Sequence, residues 1–276
     1  MNKNLRISFI GAGNMACGLI GGLLDDHYPA QHVRAADCDE SQRARVEKNF
    51  GITTYASNAA AVSDADIVVL AVKPQVMPAV CHEVAAALGQ RQPLMISIAA
   101  GIRCQALRQW LGAEHAIVRA MPNTPSLVGA GAAALFADHN VSDEQRQQAE
   151  SILRAVGLAL WLPDEAQMDA VTALSGSGPA YFFLLMEILE RIGQQLGLEA
   201  ETAHLLTLQT AYGASKMALE SELDCAELRR RVTSPGGTTE QALNKLMQGN
   251  IDTLFDAALT AARDRSIELA TLLGKS

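Results

Sequence analysis

The stretch FIGAGNMACGLIGGLL, residues 9–24, decides the fold. It joins an apolar run, RISFIGA at 6–12, to an apolar helical pattern through a glycine turn. The spacing is Gly11-x-Gly13-x-x-Ala16. Gly11 permits a tight turn, Gly13 lets backbone approach a pyrophosphate, and small Ala16 lets the helix pack close to the strand. The helix then offers unpaired N–H groups and a partial positive charge to an anion. A glycine pattern alone is weak evidence. Placed between a first strand and a first helix, it predicts dinucleotide binding.

The same rhythm continues outward. VRAAD (33–37), DIVVLAV (66–72), LMISIAA (94–100), AIVRAMP (116–122), GAGAAALFA (129–137) and LALWLP (158–163) read as strands separated by helical patterns. Several are apolar on both faces, as parallel strands covered by helices are. Residues 1–163 are therefore expected to form an α/β Rossmann domain, doubly wound about a mostly parallel sheet. Beyond Pro163 the β pattern stops. Apolar residues recur at three and four spacing in AYFFLLMEILERIGQQLG (180–197) and AHLLTLQTAYGASKMALE (203–220). An all-α domain is expected over 164–276, with its last helix from about Ile251 to Leu273. Helices this apolar need cover on more than one face, which predicts a homodimer through the helical domain.

The 276 residues carry 22 Lys and Arg against 30 Asp and Glu, a net charge of −8. Without a basic stripe, no nucleic-acid partner is expected. LRRRV at 228–232 is the densest basic run and reads as a solvated helix face. Five cysteines, widely spaced and without C-x-x-C, predict reduced thiols in the cytoplasm with no disulfide frame and no metal site. The first apolar run is short and broken by glycines, unlike a signal peptide. No apolar stretch approaches the roughly 20 residues of a membrane helix, so no membrane partner is expected.

Asp37 ends the second strand near the position, roughly 20 residues on, where an acid meets ribose hydroxyls. An acid there favours NADH. Arg34, Arg43 and Arg45 lie nearby and suit the 2′-phosphate of NADPH, so both cofactors stay open. LAVKPQ places Lys73 and Pro74 just past a strand, and RAMPNTP does the same for Asn123. Ligands of open α/β sheets lie beyond the carboxyl ends of strands.

The helical half holds two polar loops, SGSGPAYFF (175–183) and VTSPGGTTEQA (232–242). Thr238-x-x-Gln241 fits a capping box, which occupies the Thr238 hydroxyl and leaves that of Thr239 free. Gly236 and Gly237 allow successive N–H groups to grip a carboxylate without arginine. VTSPGGTT itself contains no His, Lys or acid.

IGAGNMA, AVKPQ, MPNTP, SGSGPAYFF and above all VTSPGGTT, in this order and spacing, resemble the motifs of pyrroline-5-carboxylate reductases over nearly the whole chain. The resemblance implies reduction of 1-pyrroline-5-carboxylate to proline, with hydride passing from NADH or NADPH to a protonated cyclic imine. It implies a Rossmann domain, a dimerising helical domain, and dimers assembled into decamers. It places cofactor contacts on Gly11, Ala12, Gly13, Asn14 and Met15, on Asn58, on Ala71, Val72, Lys73 and Pro74, and on Asn123. The substrate-carboxylate loop falls on Ser234, Gly236, Gly237, Thr238 and Thr239. The catalytic hydrogen bond to the ring nitrogen falls on Thr239. AADCDE, at the end of the second strand, departs from the Asn-Arg or Ser-rich ends of many NADPH-preferring members. A β-hydroxyacid dehydrogenase instead needs a lysine after the glycine loop, and the run from Gly176 to Phe183 has none. A nucleotide-binding regulator without turnover has no use for the Thr239 loop.

Overall fold

The computed structural model describes residues 2–112 and 114–274. The described strands are β1 (Ile7–Ile10), β2 (Val33–Ala36), β3 (Thr53–Tyr55), β4 (Ile67–Leu70), β5 (Leu94–Ser97), β6 (Ile117–Met121), β7 (Gly131–Ala137) and β8 (Gly157–Trp161). They form one sheet in the order β3-β2-β1-β4-β5-β6-β7-β8. β1 to β6 are parallel, β7 is antiparallel to β6, and β8 runs with β7. The sheet is the doubly wound, mostly parallel one expected. β3 escapes sequence reading because Thr53, Thr54 and Tyr55 form a short edge strand without an apolar run.

Helices α1 (Asn14–Asp25), α2 (Glu40–Phe50), α3 (Asn58–Val62), α4 (Met77–Leu88), α5 (Cys104–Leu111) and α6 (Asp143–Arg154) connect the strands. Every residue of β1, β4 and β5 is buried. Successive side chains point to opposite faces. Ile7, Phe9, Ile67 and Val69 therefore join Leu19 of α1 and Ile152 of α6 in one apolar cluster. Ile10, Val68 and Leu70 join Cys81 of α4 and Leu107 of α5 in the other.

Two compact units divide the chain. One is Met1–Ser177 together with Ala261–Ser276, and the other is Gly178–Thr260. The strand pattern ends near Pro163, but α7 (Gln167–Val171) and the π-turn Thr172–Gly176 still belong to the first unit. So does the later part of a long helix within 251–273. There the buried Ser266 hydroxyl donates to Asp169 at 2.7 Å, and Arg103 pairs with the same carboxylate at 3.3 Å.

The second unit holds α8 (Gly178–Gln195), α9 (Ala200–Glu220), α10 (Cys225–Arg231), α11 (Thr238–Gln248) and the start of α12 (Ile251–Leu273). Gly193 lets α8 approach α9, since a Cβ there would lie 3.3 Å from that of Ala203. Among the described residues of this unit only Gly178 and Ala203 are buried. Phe182 and Phe183 are 60% and 61% exposed. A single copy therefore leaves an extended apolar surface uncovered, which marks an interaction face.

One expectation is corrected here. α7, the π-turn and α8 run as a continuous helix, Gln167–Gln195, whose length and composition suffice to cross a membrane. The glycines and Pro179 do not interrupt it. Ser177 N–H bonds the Thr172 carbonyl at 2.8 Å, widening the turn just before the proline. Pro179 has no N–H for the Ser175 carbonyl four residues earlier. Asn123 Nδ2 supplies that donor instead, at 3.0 Å.

Candidate active site

The glycine turn closes on the end of β4. Gly11 has φ +96°, and a Cβ there would lie 2.8 Å from the Ala71 carbonyl oxygen and 3.0 Å from Val72 Cγ1. Gly11 N–H donates to the Ala36 carbonyl, and Ala71 N–H to the Ile10 carbonyl, both at 2.8 Å. Gly13 differs. Nothing lies within 4 Å of its Cβ position, and no side chain caps α1 behind it. The turn is thus packed on one side and open on the other, where the helix N–H groups face outward. This cradle fits a dinucleotide pyrophosphate.

Asp37 braces the same turn. Ala12 N–H donates to its Oδ2 at 2.8 Å and Asp39 N–H to its Oδ1 at 2.9 Å. Arg34 is held in an ion pair with Asp64. Arg43 donates to the Asp37 and Cys38 carbonyls at 2.8 and 3.2 Å. Arg45 reaches Asn14 Oδ1 at 3.4 Å. Lys73 is exposed ahead of the short turn Pro74–Val76. Asn58 Nδ2 donates to Glu83 Oε2 at 2.8 Å. Asn123 uses both ends of its amide, since its Oδ1 accepts from Ala132 N–H at 2.9 Å. Gly11, Asp37, Asn58, Ala71 and Asn123 follow β1, β2, β3, β4 and β6, so all stand at the carboxyl edge of the parallel sheet. Contacts tie Gly11, Ala12, Asp37, Ala71 and Val72 to one another, whereas the amides of Asn58 and Asn123 are engaged elsewhere.

The loop before α11 forms a second cluster, in the other unit. Its capping departs from expectation. The cap residue is Gly237, not Thr238, and no side chain caps the helix. Thr238 and Thr239 occupy the first two helical positions, so Thr238 is not consumed as a cap. Gly237 carries no side-chain oxygen, so no capping box forms. Glu240, three residues on, instead accepts from the N–H of Gly236, the residue before the cap, at 2.8 Å. Gly236 has φ +73°, and Gly237 N–H donates to the Ser234 carbonyl at 3.0 Å. Glu240 was the residue missed. Its signal was an acid at the third position after a glycine cap.

Burial pushes Cys81 and Cys104 up to about 12, so both stay protonated.

Residues 165–269 match the family model described as pyrroline-5-carboxylate reductase dimerisation. Residues 6–101 match a model described as NADP oxidoreductase, coenzyme F420-dependent. The pyrroline-5-carboxylate reductase of Pseudomonas aeruginosa is 57% identical over 270 residues, covering 98% of each chain. The chain belongs to the pyrroline-5-carboxylate reductase family. A pyrroline-5-carboxylate reductase structure from Coxiella burnetii superposes with a TM-score of 0.91 at 47% identity, covering 96% of this chain and 98% of that one. The Plasmodium falciparum reductase, solved with NADP bound, gives 0.87 at 30% identity, covering 97% and 99%. As a member of this family the chain is an oxidoreductase that uses a pyridine nucleotide, and it oligomerises through its helical segment. The exposed apolar residues of α8 and α9 fall inside the dimerisation match.

Proposed function

We propose that this chain reduces 1-pyrroline-5-carboxylate to L-proline with NADH or NADPH. It acts in the cytoplasm as a homodimer, with dimers assembling further into a decamer. The observation that carries the substrate reading is the uncapped start of α11. The N–H groups of Thr238 and Thr239 open that helix and find no carbonyl within it. Together with the Ser234 hydroxyl they offer a carboxylate several donors.

The bound dihydronicotinamide supplies the hydride. A cyclic imine that arrives protonated already has an electrophilic carbon, so the loop needs no general acid. Its work is orientation, which contributes roughly 7–11 kcal/mol in favourable cases. Thr239 accepts the ring N–H in its hydroxyl oxygen and fixes the ring. Ser234, Gly236, Thr238 and Thr239 hold the carboxylate, whereas the Gly237 N–H is already committed to the Ser234 carbonyl. Adding 1-pyrroline-5-carboxylate to enzyme and reduced nucleotide should oxidise the nucleotide and yield proline in equal amounts. No proline with either nucleotide would refute the assignment.

Glu240 enters this scheme as a competitor. Its carboxylate sits on Gly236 N–H, one of the donors assigned to the substrate. Charge-assisted hydrogen bonds are about twice as strong as neutral ones, so Glu240→Gln should lower KM for the imine by roughly 2–5-fold with kcat unchanged. Steady-state kinetics check this, and an unchanged or raised KM counts against competition.

A further inference from the structure

We infer that the turn between β2 and α2 selects the dinucleotide lacking a 2′-phosphate, NADH over NADPH, through Asp37 and Asp39. The inference rests on the nucleotide site proposed above and specifies which member of the pair it takes.

Asp37 is fixed rather than mobile. Its two oxygens each accept one backbone N–H, from Ala12 and Asp39. An ionised carboxylate offers about four acceptor sites, so each oxygen keeps a lone pair for a further donor. Ala12 belongs to the glycine turn, which anchors this acceptor pair beside the pyrophosphate cradle. Two neighbouring ribose hydroxyls are donors of the right kind. A 2′-phosphate at neutral pH brings acceptor oxygens and no such donors.

Several donors of the turn are already spent. Asp39 N–H is committed to Asp37. The Ser41 N–H and hydroxyl are committed to Asp39 Oδ1 at 2.8 and 2.7 Å. Those Ser41 bonds hold the Asp39 carboxyl below the usual range, so its charge persists. Nearby cations are turned elsewhere. Arg34 is paired with Asp64, Arg43 donates to backbone carbonyls, and Arg45 points to Asn14 and Cys17. A dianionic 2′-phosphate would meet two carboxylates, and the cations around them are drawn to other acceptors. The preference belongs to these residues rather than to the family, since the Plasmodium falciparum relative was solved with NADP.

The test is direct binding without imine, by isothermal titration calorimetry with NADH and NADPH. The wild type should bind NADH at least about ten-fold tighter, since like-charge juxtaposition disfavours the phosphorylated partner. Asp37→Asn keeps an oxygen for Ala12 N–H and loses the charge. It should weaken NADH, tighten NADPH and bring the two within about three-fold. Thermal denaturation confirms that the variant is folded. If it is not, Asp39→Asn is titrated in the same way and should tighten NADPH. NADPH binding as tight as NADH in the wild type overturns the inference, as does an unchanged ratio in a folded variant. Imine turnover separates this from the functional reading. Proline formation with NADPH bound more tightly refutes only the selectivity, whereas NADH selectivity without proline refutes only the reaction.

Discussion

Replacing Gly13 with alanine should leave the protein folded and weaken nucleotide binding by about 10–100-fold, because the second glycine is where backbone meets pyrophosphate. Gly11→Ala should instead damage the fold. The two glycines stand two residues apart and meet different surroundings. A Cβ at Gly13 finds nothing within 4 Å, and the cap has φ −70°, which alanine adopts without strain. The added methyl therefore occupies only space meant for the ligand. A Cβ at Gly11 lies 2.8 Å from a backbone carbonyl, at φ +96°. Positive φ costs about 1–3 kcal/mol outside glycine. Forcing β4 outward adds a similar overpacking cost, for a total of about 2–6 kcal/mol. Chemical denaturation of both variants, with nucleotide titration of Gly13→Ala, checks the contrast. Equal stabilities would show that the turn tolerates a side chain at either position. Undiminished affinity in Gly13→Ala would move the pyrophosphate away from this turn.

Thr239→Ala should lower kcat/KM by about 1.5–3 kcal/mol, roughly 10–150-fold, the cost of losing a hydrogen bond to a charged group. Thr239→Ser keeps the oxygen and should recover most of the loss. Thr238→Ala is the sharper control. Neither threonine is spent on capping, since α11 begins with an uncapped Gly237. Capping therefore does not distinguish the two hydroxyls. A larger loss at Thr238 would reverse their roles, and wild-type kinetics in Thr239→Ala would end the case for either arrangement.

Much of the fold was legible because its signals are local. β1, β4 and β5 are continuous apolar runs, and the glycine turn between β1 and α1 carries its own spacing. Asp37 was legible as a position, but its grip on Ala12 depends on residues 25 apart in sequence. The start of α11 was misread for a local reason. A Thr-x-x-Gln pattern fits a capping box, yet the backbone turns one residue earlier, at Gly237, where no side chain is available. The continuity of Gln167–Gln195 was hidden for a distant reason. Pro179 signals a break, and the donor that answers it comes from Asn123, beyond β6. Local rules see the orphaned carbonyl and not its partner.

The return of the chain to its first unit bears on the order of synthesis. Ser266 and Ala270 are buried there, after the whole of Gly178–Thr260 has been made. Translation adds roughly 5–20 residues per second, and domains generally fold from the N-terminus first. The nucleotide unit therefore emerges with Asp169 lacking its Ser266 donor for several seconds, until the last long helix follows. Its sheet can assemble early, but its packing is completed only after the helical unit has left the ribosome.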